Sequence, residues 1–118
     1  MTDPSQPSGR RWPRGQKFTI SHSGLPADEA YRAAVLGARS AGRAALDAAL
    51  DAWARPHGVR PGDGVVLGEL RAERRGLADL ARALEGCGIE PSEVREAVDR
   101  LVAAGLVDPV PLASQVGV

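Results

Sequence analysis

The segment spanning residues 77–107 constrains the fold more than any other part of this 118-residue chain. Within it, apolar residues recur at three- and four-residue intervals in two short stretches, the period of an amphipathic helix. Glycines at 86 and 88 separate the stretches, Pro91 suits the first turn of the second helix, and Gly105 suits its end. The segment therefore predicts two helices joined by a tight turn. Their buried faces are predicted to contain Leu77, Leu80, Ala81, Leu84, Val94, Ala97, Val98 and Leu101.

The composition predicts one domain with an aliphatic core, because the chain has only two Trp, one Tyr and one Phe. We expect a mainly α fold, in which a long N-terminal helix precedes a helix-turn-helix unit with a minimal β-hairpin or short strands. Residues 17–118 are predicted to form this single helical domain. Residues 1–16 are rich in Pro, Ser, Gly and Arg and are predicted to be a disordered basic tail.

Short strands are predicted at both ends of the domain. Residues 17–22 alternate polar and apolar side chains, with Phe18 and Ile20 inward, and a strand this short needs a sheet partner. After the last helix, 107–110 and 113–118 could form a minimal hairpin, and the first strand could pair with it. Residues 64–75 predict a short helix, although their first four residues also fit a strand.

A long helix is predicted over residues 27–54. Gly37 and Gly42 weaken it by about 1 kcal/mol each, so a break near Gly37–Ser40 is an open alternative. Unbroken, the helix would extend about 40 Å, which is long for a compact monomer of this size. We therefore expect it to support a homodimer. The predicted dimer interface is its apolar stripe, formed by Tyr31, Val35, Ala38, Ala45, Leu46, Ala49 and Trp53.

The element order in residues 64–107 resembles the winged helix-turn-helix superfamily. The resemblance lies in apolar spacings, and it covers a little over a third of the chain. The matching residues are Leu80-Ala81 with Leu84, Pro91-Ser92 opening a helix, Val94, Val98, Leu101 and Ala104-Gly105-Leu106-Val107.

In that superfamily the second helix presents its first polar residues to the DNA major groove, and a closing β-hairpin, the wing, adds contacts to the backbone. The resemblance implies a small dimeric, DNA-binding regulator of transcription whose partner is double-stranded DNA. The implied base contacts are Ser92, Glu93, Arg95 and Glu96. The implied backbone contacts are Arg71, Arg74, Arg75, Arg100 and the arginines of the N-terminal tail.

A non-catalytic protein-interaction module with a winged-helix-like fold is the alternative. The formal net charge is zero, which removes the argument that a strongly basic domain would give for nucleic acid. Charge is unevenly distributed, since residues 1–26 carry four basic side chains and one acidic, whereas residues 87–118 carry two basic and five acidic. The acidic last helix suits a basic protein surface.

Residues with catalytic or metal-binding potential are isolated from one another. His22 and His57 lack a neighbouring Cys or an acidic residue at ligand spacing, and Cys87 lies between two glycines in a turn. We therefore expect no enzyme activity, metal or cofactor. The single cysteine and the absence of a long apolar run predict a cytoplasmic, bacterial protein without membrane segments.

Overall fold

The computed structural model describes residues 12–111, which form a mainly α fold with a small antiparallel sheet, as predicted. The predicted strand pair formed with 113–118 lies outside the described residues. In chain order the elements are β1 (Lys17–Ile20), α1 (Gly24–Ala38), α2 (Arg43–His57), α3 (Asp63–Ala72), β2 (Arg75–Gly76), α4 (Leu77–Ala83), α5 (Pro91–Ala103) and β3 (Val107–Pro109).

The sheet has the order β2-β1-β3, and both pairings are antiparallel. The predicted strand is therefore confirmed, with the buried Phe18 lying opposite Arg75 in β2 and Pro109 in β3. The pairing expected between the first strand and the segment after the last helix is observed. β2 is a correction, because Arg75 and Gly76 were expected at a helix end. The N-terminal strand thus joins the start of α4 to the end of α5.

The predicted long helix is wrong as a continuous element, and the break expected near Gly37–Ser40 is present. α1 ends at Ala38, a 3₁₀ turn covers Arg39–Ala41, and Gly42 adopts φ 105° before α2 begins. Such a positive φ favours glycine because it has no Cβ. The chain reverses here, so that α1 and α2 pack side by side as a helical hairpin.

The two halves of the predicted dimer stripe face each other in this hairpin. Tyr31 and Trp53 are equally far from Gly42 along the chain, and their rings meet edge to face with centroids 5.0 Å apart. The Trp53 indole N–H also donates to the carbonyl of Ala27 at 2.9 Å. The stripe is therefore turned inward, with Trp53 and Ala38 buried and the others half-buried; these are Tyr31, Val35, Ala45, Leu46 and Ala49.

Helices α3, α4 and α5 enclose the main core together with the sheet. Residues 64–67 lie in a helix and not in a strand, and α3 ends at Ala72, three residues before the predicted end. α4 and α5 match their predictions, including Pro91 in the first turn of α5 and Gly105 at φ 80° after it. The largest fully buried apolar side chains are Phe18, Val66, Leu67, Leu70, Leu80, Leu84, Val94, Val98, Leu101 and Val107.

Close contacts at two glycines join the elements. A Cβ at Gly64 in α3 would overlap the ring of Tyr31, so this glycine allows α1 to approach α3. A Cβ at Gly24 would overlap the carbonyl of Leu106, and the backbone N–H of Ser21 donates to that same carbonyl at 2.9 Å. The start of α1 is thereby held against the end of α5.

Candidate nucleic-acid interface

The N-terminal end of α5 is the predicted recognition surface, and its local sequence fixes its geometry. Glu90 and Glu93 form a reciprocal capping box at the start of the helix, with the Glu90 N–H donating to the Glu93 carboxylate at 2.9 Å. Glu93 therefore caps its own helix through one carboxylate oxygen, while its side chain remains exposed. Ser92 and Arg95 are exposed and Glu96 is half-buried.

Arg100, a predicted backbone contact, is paired with a carboxylate at the start of α3. Its Nε and one terminal nitrogen donate to the two carboxylate oxygens of Asp63 at 2.8 and 2.9 Å, and Asp63 is buried. These hydrogen bonds raise the pKa of Arg100 above its ordinary value, despite partial desolvation that acts in the opposite direction. Asp63 also accepts the backbone N–H of Arg60, so it closes the loop that precedes α3. This arrangement has a structural role, because the guanidinium and the carboxylate neutralise each other and share two hydrogen bonds.

Two of the three predicted arginines at the end of α3 are also paired within the chain. Arg71 donates to the buried Asp28 at 3.0 Å and to Glu29 at 3.2 Å, and these hydrogen bonds raise its pKa. Arg75 lies 3.7 Å from the Glu69 carboxylate. Arg74 is exposed and forms no ion pair with the described residues. Three of the four named arginines in the predicted phosphate-contacting set therefore lie against carboxylates of the same chain.

A tryptophan fixes the segment that precedes β1. The Trp12 indole N–H donates to Asp99 in α5 at 2.9 Å, and its ring meets Phe18 edge to face with centroids 4.9 Å apart. Gln16 is buried and donates to the carbonyl of Val110 at 2.7 Å. Trp12 and Gln16 thus attach this segment to the packed part of the protein, and residues 13–15 between them are exposed. The rest of the predicted tail lies outside the described residues. A single tryptophan among Pro, Gly and Arg residues was the sequence signal for this anchor.

Anchoring of this segment creates a surface that the sequence prediction missed. Two adjoining clefts share Leu77 and Ala78 at the start of α4. The first is bordered by Arg14 and Lys17, and the second by Ser92 and Arg95. We call this continuous surface the α4 groove. Its remaining lining residues are Trp12, Pro13, Gly15, Gln16, Gly76, Asp79, Ala81 and Pro91.

The α4 groove is positively charged. Asp79 is its one carboxylate among the described lining residues, and it is paired with Arg82 at 3.2 Å. Arg14, Lys17 and Arg95 supply three cations against it. A separate cleft lies between α3 and α5, outside the α4 groove. Its lining carries charges of both signs, including Arg60, Glu93 and Glu96, so it is less suited to a polyanion.

The remaining candidate residues stay separate in the structure. His57 lies beside Trp53 with ring centroids 5.5 Å apart, and Cys87 is exposed in the 3₁₀ turn before α5. Across residues 12–111, no three His, Cys, Asp or Glu side chains come together in a way that could hold a metal ion. No helix in this part of the chain is both long and apolar enough to cross a membrane.

Comparison of the chain with protein-family models, curated proteins and solved structures found no match.

Proposed function

We propose that the protein is a non-catalytic, DNA-binding regulator that contacts duplex DNA through the α4 groove and the start of α5. The observation that carries the proposal is the placement of Arg14, Lys17 and Arg95 along one surface with a single, internally paired carboxylate. Phosphate contacts by such cations release counterions and supply most of the affinity of a DNA-binding protein. Transcriptional control in the cytoplasm and a dimer that binds two half-sites remain part of this proposal.

Ser92 and Arg95 are the side chains best suited to base contacts. Both are exposed in the first two turns of α5, which is the part of a recognition helix that reaches base edges. Arg14 and Lys17 are suited to the backbone, and the chain places Arg10 and Arg11 immediately before the Trp12 anchor. This assignment replaces Arg71, Arg75 and Arg100, which are paired with carboxylates of the same chain.

The test is a titration of a fluorescent random duplex with the full chain, repeated across a salt series that begins at about 50 mM. The proposal predicts binding at low salt that weakens steeply as salt rises. Replacing Arg14 and Lys17 with alanine should reduce the salt slope by about one for each phosphate that is no longer neutralised. Arg39→Ala is the matched control, because Arg39 is an exposed arginine in the turn between α1 and α2. An equally large reduction from Arg39→Ala would overturn the assignment to the groove.

Base reading is tested separately on a sequence selected from a random library. Arg95→Ala should weaken binding to the selected sequence more than binding to the random duplex. Arg74→Ala, which removes an exposed arginine after α3, should weaken both to a similar extent. If Arg95→Ala weakened binding to the two duplexes equally, the base contact would be removed from the proposal.

A protein-interaction module is the second candidate, and the internal pairing of Arg71, Arg75 and Arg100 favours it. Two acidic side chains, Glu90 and Glu93, are exposed at the start of α5, where they also form its capping box. A basic protein surface would complement these carboxylates. Absence of duplex binding at low salt, with the fold intact by circular dichroism, would favour this function over DNA binding.

A further inference from the structure

We infer that α1 pairs with α1 of a second copy of the chain, antiparallel and around a two-fold axis. The first observation is the exposure of two leucines on this helix. Leu25 is 37% exposed and Leu36 is 65% exposed, and they are the exposed large hydrophobic side chains among the described residues. α1 packs on α2 and α3 through other residues, among them Ala27 and Tyr31. This inference does not depend on the proposed DNA binding.

The second observation is the position of two charges between these leucines. Leu25, Glu29, Arg32 and Leu36 follow one another at intervals of four, three and four residues, so they form one stripe along the helix. The Glu29 and Arg32 side chains are 66% and 61% exposed. We call this set the outer stripe of α1. It is distinct from the predicted dimer stripe, which the hairpin turns inward.

The outer stripe is complementary to itself when a second copy runs in the opposite direction. In that alignment Leu25 meets Leu36 of the other copy, and Glu29 meets Arg32 of the other copy. Both pairs then occur twice, as an isologous two-fold interface requires. A parallel alignment would place Glu29 against Glu29 and Arg32 against Arg32, where like charges repel. The charge order therefore selects the antiparallel arrangement.

Glu29 and Arg32 keep hydrogen-bonding atoms available for this pairing in addition to those used within the chain. Arg32 donates to Asp28 from Nε at 3.0 Å, and a guanidinium has four further N–H donors. Glu29 interacts with Arg71 through one oxygen at 3.2 Å, so its other oxygen remains available to a second cation. The leucine pairs supply apolar burial, and the ion pairs fix the register.

The first experiment is sedimentation equilibrium of the DNA-free full chain over a concentration series. We expect a concentration-dependent dimer. Leu36→Lys should abolish the dimer, because it replaces one of the two apolar ends of the outer stripe with a cation. The fold should be retained, since Leu36 is exposed. Ala48→Lys, an exposed position on α2, is the matched control and should leave the dimer unchanged. A monomer at every concentration, or equal behaviour of the two variants, would overturn the inference.

The register is tested by disulfide trapping in a Cys87→Ser background. Leu25→Cys and Leu36→Cys proteins are mixed in equal amounts and oxidised. The antiparallel register predicts that the cross-linked product joins position 25 to position 36. Two copies of position 25 would be about 16 Å apart, beyond the reach of a disulfide. Predominant 25–25 or 36–36 products would overturn the antiparallel pairing even if the protein is a dimer.

Discussion

The sheet with α3–α5 and the α1–α2 hairpin are stabilised in different ways. All of the largest fully buried apolar side chains belong to the sheet or to α3–α5, except Leu84, which directly follows α4. The hairpin instead depends on a few anchors, namely Trp53, the Tyr31 ring against Gly64, and the carboxylate of Asp28. One region is therefore specified by apolar burial, whereas the other is positioned by a small number of specific contacts and exposes Leu25 and Leu36 on its outer face.

The largest expected effect comes from a leucine in the packed region. Leu101→Ala should lower the free energy of unfolding by about 2–5 kcal/mol, because it removes a fully buried side chain and leaves a cavity. Leu36→Ala in the hairpin should change it by about 0.5 kcal/mol or less when measured on the monomer. Urea unfolding checks both values. Equal destabilisation by the two substitutions would remove the distinction between the regions.

Asp28→Asn tests whether the hairpin depends on its buried carboxylate. Asp28 is buried and accepts from Arg32 and Arg71 through the same oxygen, at 3.0 Å in each case. Replacing it with a neutral amide should cost about 2 kcal/mol in the free energy of unfolding. Asp47→Asn is the control, because Asp47 forms an exposed pair with Arg43 on the same hairpin and should cost less than about 1 kcal/mol. A smaller cost for Asp28→Asn than for the control would contradict this role.

Replacing the glycines on either side of the hairpin turn with alanine should change the free energy of unfolding in opposite directions. Gly42→Ala should destabilise the protein by about 1–3 kcal/mol, because Gly42 has φ 105° and ψ 168°. Gly37→Ala should stabilise it by about 0.5–1 kcal/mol, since Gly37 is helical and a Cβ there meets no atom. Thermal unfolding of the two variants measures the difference. The same sign for both would contradict the observed break.

The smallest effect concerns the only tyrosine of the chain. Partial burial, and secondarily the charge of Asp28, raise the pKa of Tyr31 above its ordinary value. The neutral phenol is therefore favoured in the folded state, and the stability that this contributes is present below pH 10 and lost as pH rises through the raised pKa. Phenolate absorbance should titrate at higher pH in the folded protein than in urea. Coincident titrations would show that the ring is not desolvated against α3.

Local elements of this protein could be predicted from the amino-acid sequence. Apolar periodicity located α4 and α5, Pro91 and Gly105 marked the ends of α5, and alternation around Phe18 located β1. These features were predictable because helix ends and strand faces depend on residues a few positions apart. The stripe from Tyr31 to Trp53 was also recognisable, but its partner was not. An apolar face looks the same in sequence whether another copy or the other half of its own helix covers it.

The charges that remain available to a partner are set by the three-dimensional fold. Asp63 and Arg100 are 37 residues apart, and Asp28 and Arg71 are 43 residues apart, so neither pair is visible as a local pattern. The fold brings each pair together and neutralises two arginines that resembled phosphate contacts. It also brings Trp12 to Asp99 and so anchors the segment that carries Arg14 and Lys17, two of the three cations of the α4 groove. Pairing of charges depends on distance in space, which the order of residues does not record.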